Sequence, residues 1–219
     1  MKRSLLLSVV VCTVLVVQAQ KGDKLPDVSP TFKGELVLPV SFKNPIFNSS
    51  TETIGQLGGC LQFPLYKGLG IGAGGNYMWW GIKERALAPF VTEGEVRRAV
   101  FYGKLQFERY TGERTFYELS FRAGTSTYTF DCPTCPGAET PGFYWSLISG
   151  YYIHATDNLA FGLTVGYDRQ STRFDAMDLG LTGFPGRKET SEDRNFQNLV
   201  FGLGFSTRLR RSERDAMTW

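Results

Sequence analysis

The sequence is poor in the residues from which most metal and nucleophilic sites are built. It contains one histidine, His154, and four cysteines among 219 residues. A structural zinc site needs four ligands, and the closely spaced Cys132 and Cys135 have no histidine near them in the sequence. The GxSxG motif of many serine hydrolases is also absent. These absences argue against a metal enzyme and a hydrolase of that type, and we predict no cofactor.

The chain also lacks a long apolar run beyond its N-terminus, so no transmembrane helix is predicted there. The N-terminus itself has the order of a secretory signal: Lys2 and Arg3, a short apolar stretch over 5–17, and then Gln18 and Ala19. We therefore predict a signal peptide over 1–19 and an exported chain with a polar lead over 20–31.

A large excess of charge of one sign is missing as well. Without Lys2 and Arg3 of the predicted signal, 22 basic residues stand against 21 acidic ones, a net charge of +1. Such a balance does not provide the basic surface that nucleic-acid binding requires, so we expect no nucleic-acid partner.

The mature part is instead rich in glycine, phenylalanine and tyrosine, arranged with a period of two. In the segment 32–42, Phe32, Leu36 and Val40 belong to one apolar face, and Lys33 and Glu35 belong to the other. The same alternation recurs in seven further segments, over 56–65, 71–79, 98–108, 117–124, 143–153, 159–168 and 198–208. This pattern predicts eight β-strands, each with one apolar face.

The connections between these segments alternate in length. Short turns occur near Lys67, Thr111 and Asp157, whereas the other connections are long, over 43–52, 83–95, 130–141 and 171–194. Aromatic residues also gather toward the strand ends. We expect an outer girdle of Phe42, Trp79, Phe101, Phe143, Trp145 and Tyr167, and an inner girdle of Phe63, Phe107, Tyr117, Tyr151 and Phe205. Both features are typical of a barrel that crosses a membrane.

On these residues the chain resembles the small eight-stranded outer-membrane barrels of the OmpA and OmpX type. The resemblance implies an all-β, eight-stranded antiparallel transmembrane up-and-down barrel over 32–208, in the bacterial outer membrane, with a periplasmic tail over 209–219. Two soluble folds are the alternatives. A sandwich would also alternate, and a lipocalin-like barrel would turn its apolar face inward and usually add a helix.

The polar faces of the predicted strands carry several charged residues. In an eight-stranded barrel the interior is only wide enough for side chains to fill it, so opposite charges there are expected to pair. The predicted lumen charge network consists of Glu35, Arg98, Lys104, Glu108, Glu118, Arg122, Asp168 and Arg208.

Other motifs favour structural roles. In an exported protein, Cys132 and Cys135 are candidates for a local disulfide in the third long loop, and Cys60 is left as a free thiol on the lumen side. The glycines of a GxGxxG stretch at 70–75 precede a strand and not a helix, which favours tight packing over dinucleotide binding. His154 lies near a short turn on the predicted periplasmic side. Barrel enzymes that modify lipid A carry such a residue near the outer rim.

We therefore expect a non-enzymatic protein that contacts outer-membrane lipid. It would act in envelope structure, or in binding an extracellular ligand or envelope protein, through its outer loops. Apolar residues of the fourth long loop would either pack across the barrel mouth or form a contact surface. A lipid-modifying enzyme and a narrow channel or carrier for a small solute remain the alternatives.

Overall fold

A computed structural model describes residues 28–41, 44–137, 139–184 and 195–209. Eight antiparallel strands follow one another in chain order and close into a barrel, because the first strand also pairs with the last. The strands are β1 Thr31–Ser41, β2 Thr51–Tyr66, β3 Leu69–Ile82, β4 Glu95–Tyr110, β5 Thr115–Asp131, β6 Glu139–His154, β7 Leu159–Arg173 and β8 Asn195–Arg208. The predicted fold class, an all-β up-and-down barrel of eight strands, is confirmed.

The period-two pattern separates the two surfaces of the barrel wall. Leu163 on the outer face is 68% exposed, whereas its neighbour Thr164 is buried. Every strand presents exposed apolar side chains on its outer face, and most of the buried side chains on the inner face are polar, charged or aromatic. A soluble barrel or sandwich would reverse this arrangement, because its exposed face must be compatible with water. An apolar outer face around a polar interior is instead what a barrel in lipid requires.

The strands extend beyond the predicted segments at the end where the long loops lie. Strand β5 continues past Gly124 to Asp131. In this extension Thr125, Thr127 and Thr129 face outward, and Tyr128 and Phe130 are buried inside. The polarity of the two faces is thus reversed relative to the rest of the strand. A wall that leaves the membrane and meets water on its outer side requires such a reversal.

Short helices occur in the connections, although no helix was predicted from the sequence. The first long loop contains α1 Pro45–Ser50, in which Asn44 accepts a hydrogen bond from the Phe47 N–H at 3.0 Å. Asn at the N-cap and Pro at the first helical position are favourable starts for a helix. The second long loop contains α2 Glu84–Leu87, and the fourth contains a 3-10 helix over Ala176–Leu179. The turns that join β2 to β3, β4 to β5 and β6 to β7 are short.

Several predicted features lie outside the described residues. These are the signal peptide over 1–19, most of the polar lead, Phe42 of the outer girdle and nearly all of the tail over 209–219. Part of the fourth loop, 185–194, also lies outside them. No helix among the described residues has the length and apolar character needed to cross a bilayer.

Candidate functional site

The end of the barrel that carries the long loops, called the outer end here, is closed by a cluster of buried apolar side chains, which we call the outer plug. Its members come from the upper parts of four strands and from three of the long loops. They are Ile46, Phe47, Met78, Trp80, Leu87, Val91, Val96, Tyr128, Phe130, Phe174, Ala176, Leu179, Leu181, Phe184 and Phe196. The outer plug therefore attaches these loops to the barrel.

Phe47 of helix α1 lies at the centre of the outer plug. Its ring meets those of Trp80, Phe174 and Phe196 edge-on, with centroid distances of 5.3, 5.2 and 4.9 Å. Edge-to-face contacts at these distances are the favourable geometry for aromatic pairs. The first loop is thus held over the barrel mouth by packing and not by backbone pairing alone.

The fourth long loop combines the two roles considered from the sequence. Phe174, Leu179, Leu181 and Phe184 are buried in the outer plug, so most of its apolar residues pack across the mouth. Met177 is 76% exposed and faces away from the plug. In the same loop, partial burial raises the pKa of the Asp178 carboxyl group above that of an ordinary aspartate. The hydrogen bond that this carboxylate accepts from the Asp175 N–H, at 2.8 Å, lowers the pKa but is the smaller effect.

The third long loop is closed by a disulfide between Cys132 and Cys135 and is docked on the fourth loop. The Thr134 hydroxyl donates to the Leu179 carbonyl at 3.0 Å. Gly180 follows with a φ of 71°, and a Cβ atom there would lie 2.0 Å from the Thr134 carbonyl oxygen. Only glycine satisfies both the left-handed backbone and this close approach. The disulfide loop therefore braces the 3-10 helix from outside.

Below the outer plug, Arg98 is fully buried and contacts Asp168 at 3.4 Å. The same guanidinium donates to the Gln56 amide oxygen at 3.0 Å, and Asn198 donates to the Asp168 carboxylate at 2.6 Å. These amides satisfy polar atoms that the ion pair alone would leave unpaired. Such partners offset part of the cost of burying an ion pair, although Nε of Arg98 is buried without a hydrogen-bond partner.

Deeper in the lumen, Arg122 pairs with Glu35 through two hydrogen bonds, one to each carboxylate oxygen. The Nη2 atom of Arg122 lies 2.8 Å from Oε2 of Glu35, and Nη1 donates to Oε1. The guanidinium also lies 5.0 Å from the centre of the Tyr102 ring. This two-point geometry is the strong form of an arginine–carboxylate pair.

A second group of charges lies close to this pair. Lys104 contacts Glu118 at 2.7 Å and donates to the Gln62 amide oxygen at 2.8 Å. Lys33 donates to Glu108 at 2.8 Å and also to Glu118. Lys33 was not among the predicted network residues, although it shares the inward face of β1 with Glu35. The alternation of strand one was the signal that could have identified it.

The inner end of the lumen is filled by an aromatic layer. The Phe116 and Tyr152 rings stack at a centroid distance of 5.0 Å, and the Lys33 ammonium lies 4.7 Å from the Tyr152 ring centre. His154 Nε2 lies 3.0 Å from the Tyr110 hydroxyl, and the two rings stack. This layer places His154 at the end of the barrel that carries the short turns.

Arg208 is the predicted network residue that lies apart from the others. Its guanidinium donates to the Tyr110 hydroxyl at 2.8 Å, and it forms no salt bridge with a carboxylate of the described residues. Among the described residues, Arg208 therefore has a tyrosine hydroxyl as its partner and not the opposite charge that was expected for it. The physical reason is its position at the last rung of β8, where the side chain is only half-buried and water can solvate it.

The remaining candidate motifs pack within the wall and lumen. Cys60 is a buried free thiol, and its Sγ atom lies 3.8 Å from the Lys104 ammonium. At Gly72, in the GxGxxG stretch, a Cβ atom would lie 2.5 Å from the Leu61 carbonyl oxygen. The glycine thus permits close approach of two strands. Among the described residues, no group of three or more His, Cys, Asp and Glu side chains is arranged to hold a metal ion.

Comparisons with known proteins give the fold and not a sequence family. No family model matches the chain, and no curated protein matches it. The crystal structure of Neisserial surface protein A superposes with a TM-score of 0.50 and 7% identity, covering 82% of this chain and 97% of that one. For Ail, the attachment invasion locus protein of Yersinia pestis, the TM-score is 0.48, with 8% identity and coverage of 83% and 99%. For the outer membrane protein OprG from Pseudomonas aeruginosa the TM-score is 0.42, with 11% identity and coverage of 85% and 100%.

The resemblance to small outer-membrane barrels is therefore confirmed at the level of the fold. The chain is an eight-stranded barrel with a filled polar interior and an apolar outer face. These features, together with the shared fold, place it in the bacterial outer membrane.

Proposed function

We propose that this chain is a non-enzymatic outer-membrane protein whose barrel is an anchor and whose outer loops carry its function. That function is either structural, within the envelope, or the binding of an extracellular partner. The observation that carries the proposal is the filled lumen. An apolar plug lies at the outer end, paired charges lie in the middle, and an aromatic layer lies at the inner end.

The filled lumen argues against the channel alternative. A pore for water-soluble solutes needs a continuous hydrated path, and the outer plug places buried aromatic rings across the outer mouth. In planar bilayers the purified chain is expected to give no conductance steps at protein levels where a sixteen-stranded porin gives many. Steady, reproducible steps from the wild-type protein would contradict the anchor proposal.

The surroundings of His154 argue against the lipid-modifying enzyme. Its ring stacks on Tyr110 at the end of the barrel with the short turns, and the side chain is held by aromatic contacts. Mass spectrometry of outer-membrane lipids from cells with and without the gene tests this alternative. We expect identical lipid profiles. A lipid species that appears with the wild type and disappears with His154→Gln would establish an enzyme instead.

In the described part of the loops, two large apolar side chains are exposed and lie outside the outer plug. Phe90, which follows helix α2, is 60% exposed, and Met177 is also exposed. Deletion of the fourth loop would remove plug residues and alter the barrel mouth, so substitutions of exposed residues are the sharper test. The double variant Phe90→Ser, Met177→Ser changes the surface and leaves the buried residues in place.

A deletion strain complemented with wild type, with this double variant, or with a barrel carrying four short turns separates the possible outcomes. Envelope integrity is measured by detergent sensitivity, and surface contact by cell adhesion. Loss of adhesion in the double variant supports partner binding through these side chains. If the double variant and the short-turn barrel both restore adhesion, binding through the loops is not needed for adhesion. A structural role of the loops is then supported only if the short-turn barrel fails to restore detergent resistance. Complete rescue of every phenotype by the short-turn barrel would contradict a function carried by the loops.

A further inference from the structure

The outer face of β7 carries two arginines just above an aromatic pair. Arg169 and Arg173 are both exposed and share the outward face of the strand. Arg169 lies opposite Trp145 in the register of β6 and β7. The Trp145 and Tyr167 rings contact each other at a centroid distance of 5.3 Å. Trp and Tyr rings on the lipid side mark the boundary between acyl chains and headgroups, so the arginines reach the headgroup level.

The polar side chains between and beside these arginines form hydrogen bonds with groups other than the arginines. Ser171, which lies between them, accepts a hydrogen bond from the Phe143 N–H at 2.7 Å. Gln197, opposite Arg169 on β8, accepts one from the Tyr167 hydroxyl at 3.1 Å. Neither Arg169 nor Arg173 forms a salt bridge with a carboxylate of the described residues. Two exposed cations therefore stand at the membrane interface without a neutralising group from the described part of the barrel.

A matched arrangement elsewhere on the barrel shows the contrast. Arg97 on β4 lies opposite Trp79, which contacts Tyr77 at a centroid distance of 4.6 Å. Here, however, the guanidinium contacts Glu95 at 3.0 Å and Asp131 at 3.4 Å. Carboxylates of the barrel itself therefore neutralise Arg97. The described residues supply no such carboxylate to Arg169 and Arg173.

We propose that the outward face of β7, through Arg169 and Arg173, binds the phosphate groups of an outer-leaflet lipid, with Trp145 and Tyr167 against its glycan and upper acyl chains. Arginine is suited to this task because its guanidinium donates two parallel hydrogen bonds to a phosphate. Two arginines on one strand face fit a headgroup that carries two separate phosphate monoesters. The lipid that fits is therefore a diphosphorylated glycolipid of the outer leaflet.

The test uses the full chain, refolded in detergent and titrated with diphosphoryl lipid A in mixed micelles. Binding is followed by native mass spectrometry, and dephosphorylated lipid A and phosphatidylglycerol serve as comparison lipids. Each arginine near an anionic surface contributes about a fivefold gain in affinity, so Arg169→Gln, Arg173→Gln is expected to bind about 30-fold more weakly than wild type. Arg97→Gln is the matched control and is expected to bind as wild type does. Heat-modifiable gel mobility verifies that each variant is folded.

Three results would overturn the proposal. The first is unchanged affinity in the folded double variant, and the second is an equal loss in Arg97→Gln, which would indicate general charge attraction. The third is equal binding of phosphatidylglycerol, which would remove the preference for phosphate monoesters. Because the titration is done in micelles, it does not depend on which loops reach the cell exterior. Its failure is therefore distinguishable from failure of the proposed function.

Discussion

Separating the Arg122–Glu35 pair should destabilise the barrel strongly, because both side chains are almost completely buried, at 4% and 9% exposure. With an effective dielectric constant of 20, unit charges about 4 Å apart attract by about 4 kcal/mol. Part of this attraction is offset by the cost of removing both groups from water. Arg122→Met leaves the Glu35 carboxylate without its main cation, and we expect it to lower the free energy of unfolding by about 3–5 kcal/mol.

A double-mutant cycle isolates the pair from the loss of packing around Tyr102. Glu35→Gln removes the opposite charge, and the double variant removes both. We expect a coupling energy of about 2–3 kcal/mol, measured by urea unfolding in lipid vesicles. The exposed Arg97–Glu95 pair is the matched control and should show negligible coupling, since water screens it. Additive effects of Arg122→Met and Glu35→Gln would refute the assignment of a buried, coupled pair.

Three further predictions concern the wall, the outer plug and the loop disulfide. Leu163→Arg should lower the free energy of unfolding by about 2–4 kcal/mol in vesicles, because it places a charge on the lipid-facing side near the bilayer midplane. Unchanged stability would mean that the lipid-facing and lumen-facing sides of the wall are reversed. Phe47→Ala should cost about 3–5 kcal/mol through lost packing in the outer plug, whereas the exposed Phe90→Ala should cost little, as thermal unfolding would show. Cys132 and Cys135 should resist alkylation in the native protein until a reductant is added, and labelling of both without reductant, followed by mass spectrometry, would contradict the disulfide.

The membrane-spanning part of the barrel could be predicted from the sequence because lipid imposes a strict rule on it. Each outward residue must be apolar there, so the alternation from Phe32 to Val40 identifies the strand and its lipid side without any long-range information. The rule no longer applies above the bilayer. Past Ser126 the outward residues Thr127 and Thr129 of β5 are polar and the inward residues Tyr128 and Phe130 are aromatic, so a search for the same alternation ends the strand too early.

The contacts inside the lumen were harder to predict, since they depend on the register of strands distant in sequence. The alternation identified most of the charged residues on the inward face, but it did not show which of them contact each other. Lys33 was not predicted, although the alternation in β1 places it on the inward face. Arg208 was predicted to pair with an opposite charge, but it contacts the Tyr110 hydroxyl. The helices of the first two loops are only six and four residues long, too short for a helical period to show. The outer plug depends on loop conformation, which alternation does not encode.

The central claim is that the long loops and the outer plug face the cell exterior, and cysteine labelling on intact cells tests it most directly. In a background with the native cysteines replaced by serine, Met177→Cys reports on the fourth loop and Glu113→Cys on a short turn, and both positions are exposed. A membrane-impermeant maleimide should label Met177→Cys in intact cells and Glu113→Cys only after the outer membrane is permeabilised. Labelling of Glu113→Cys in intact cells, with Met177→Cys protected, would contradict the account and place His154 on the outer side.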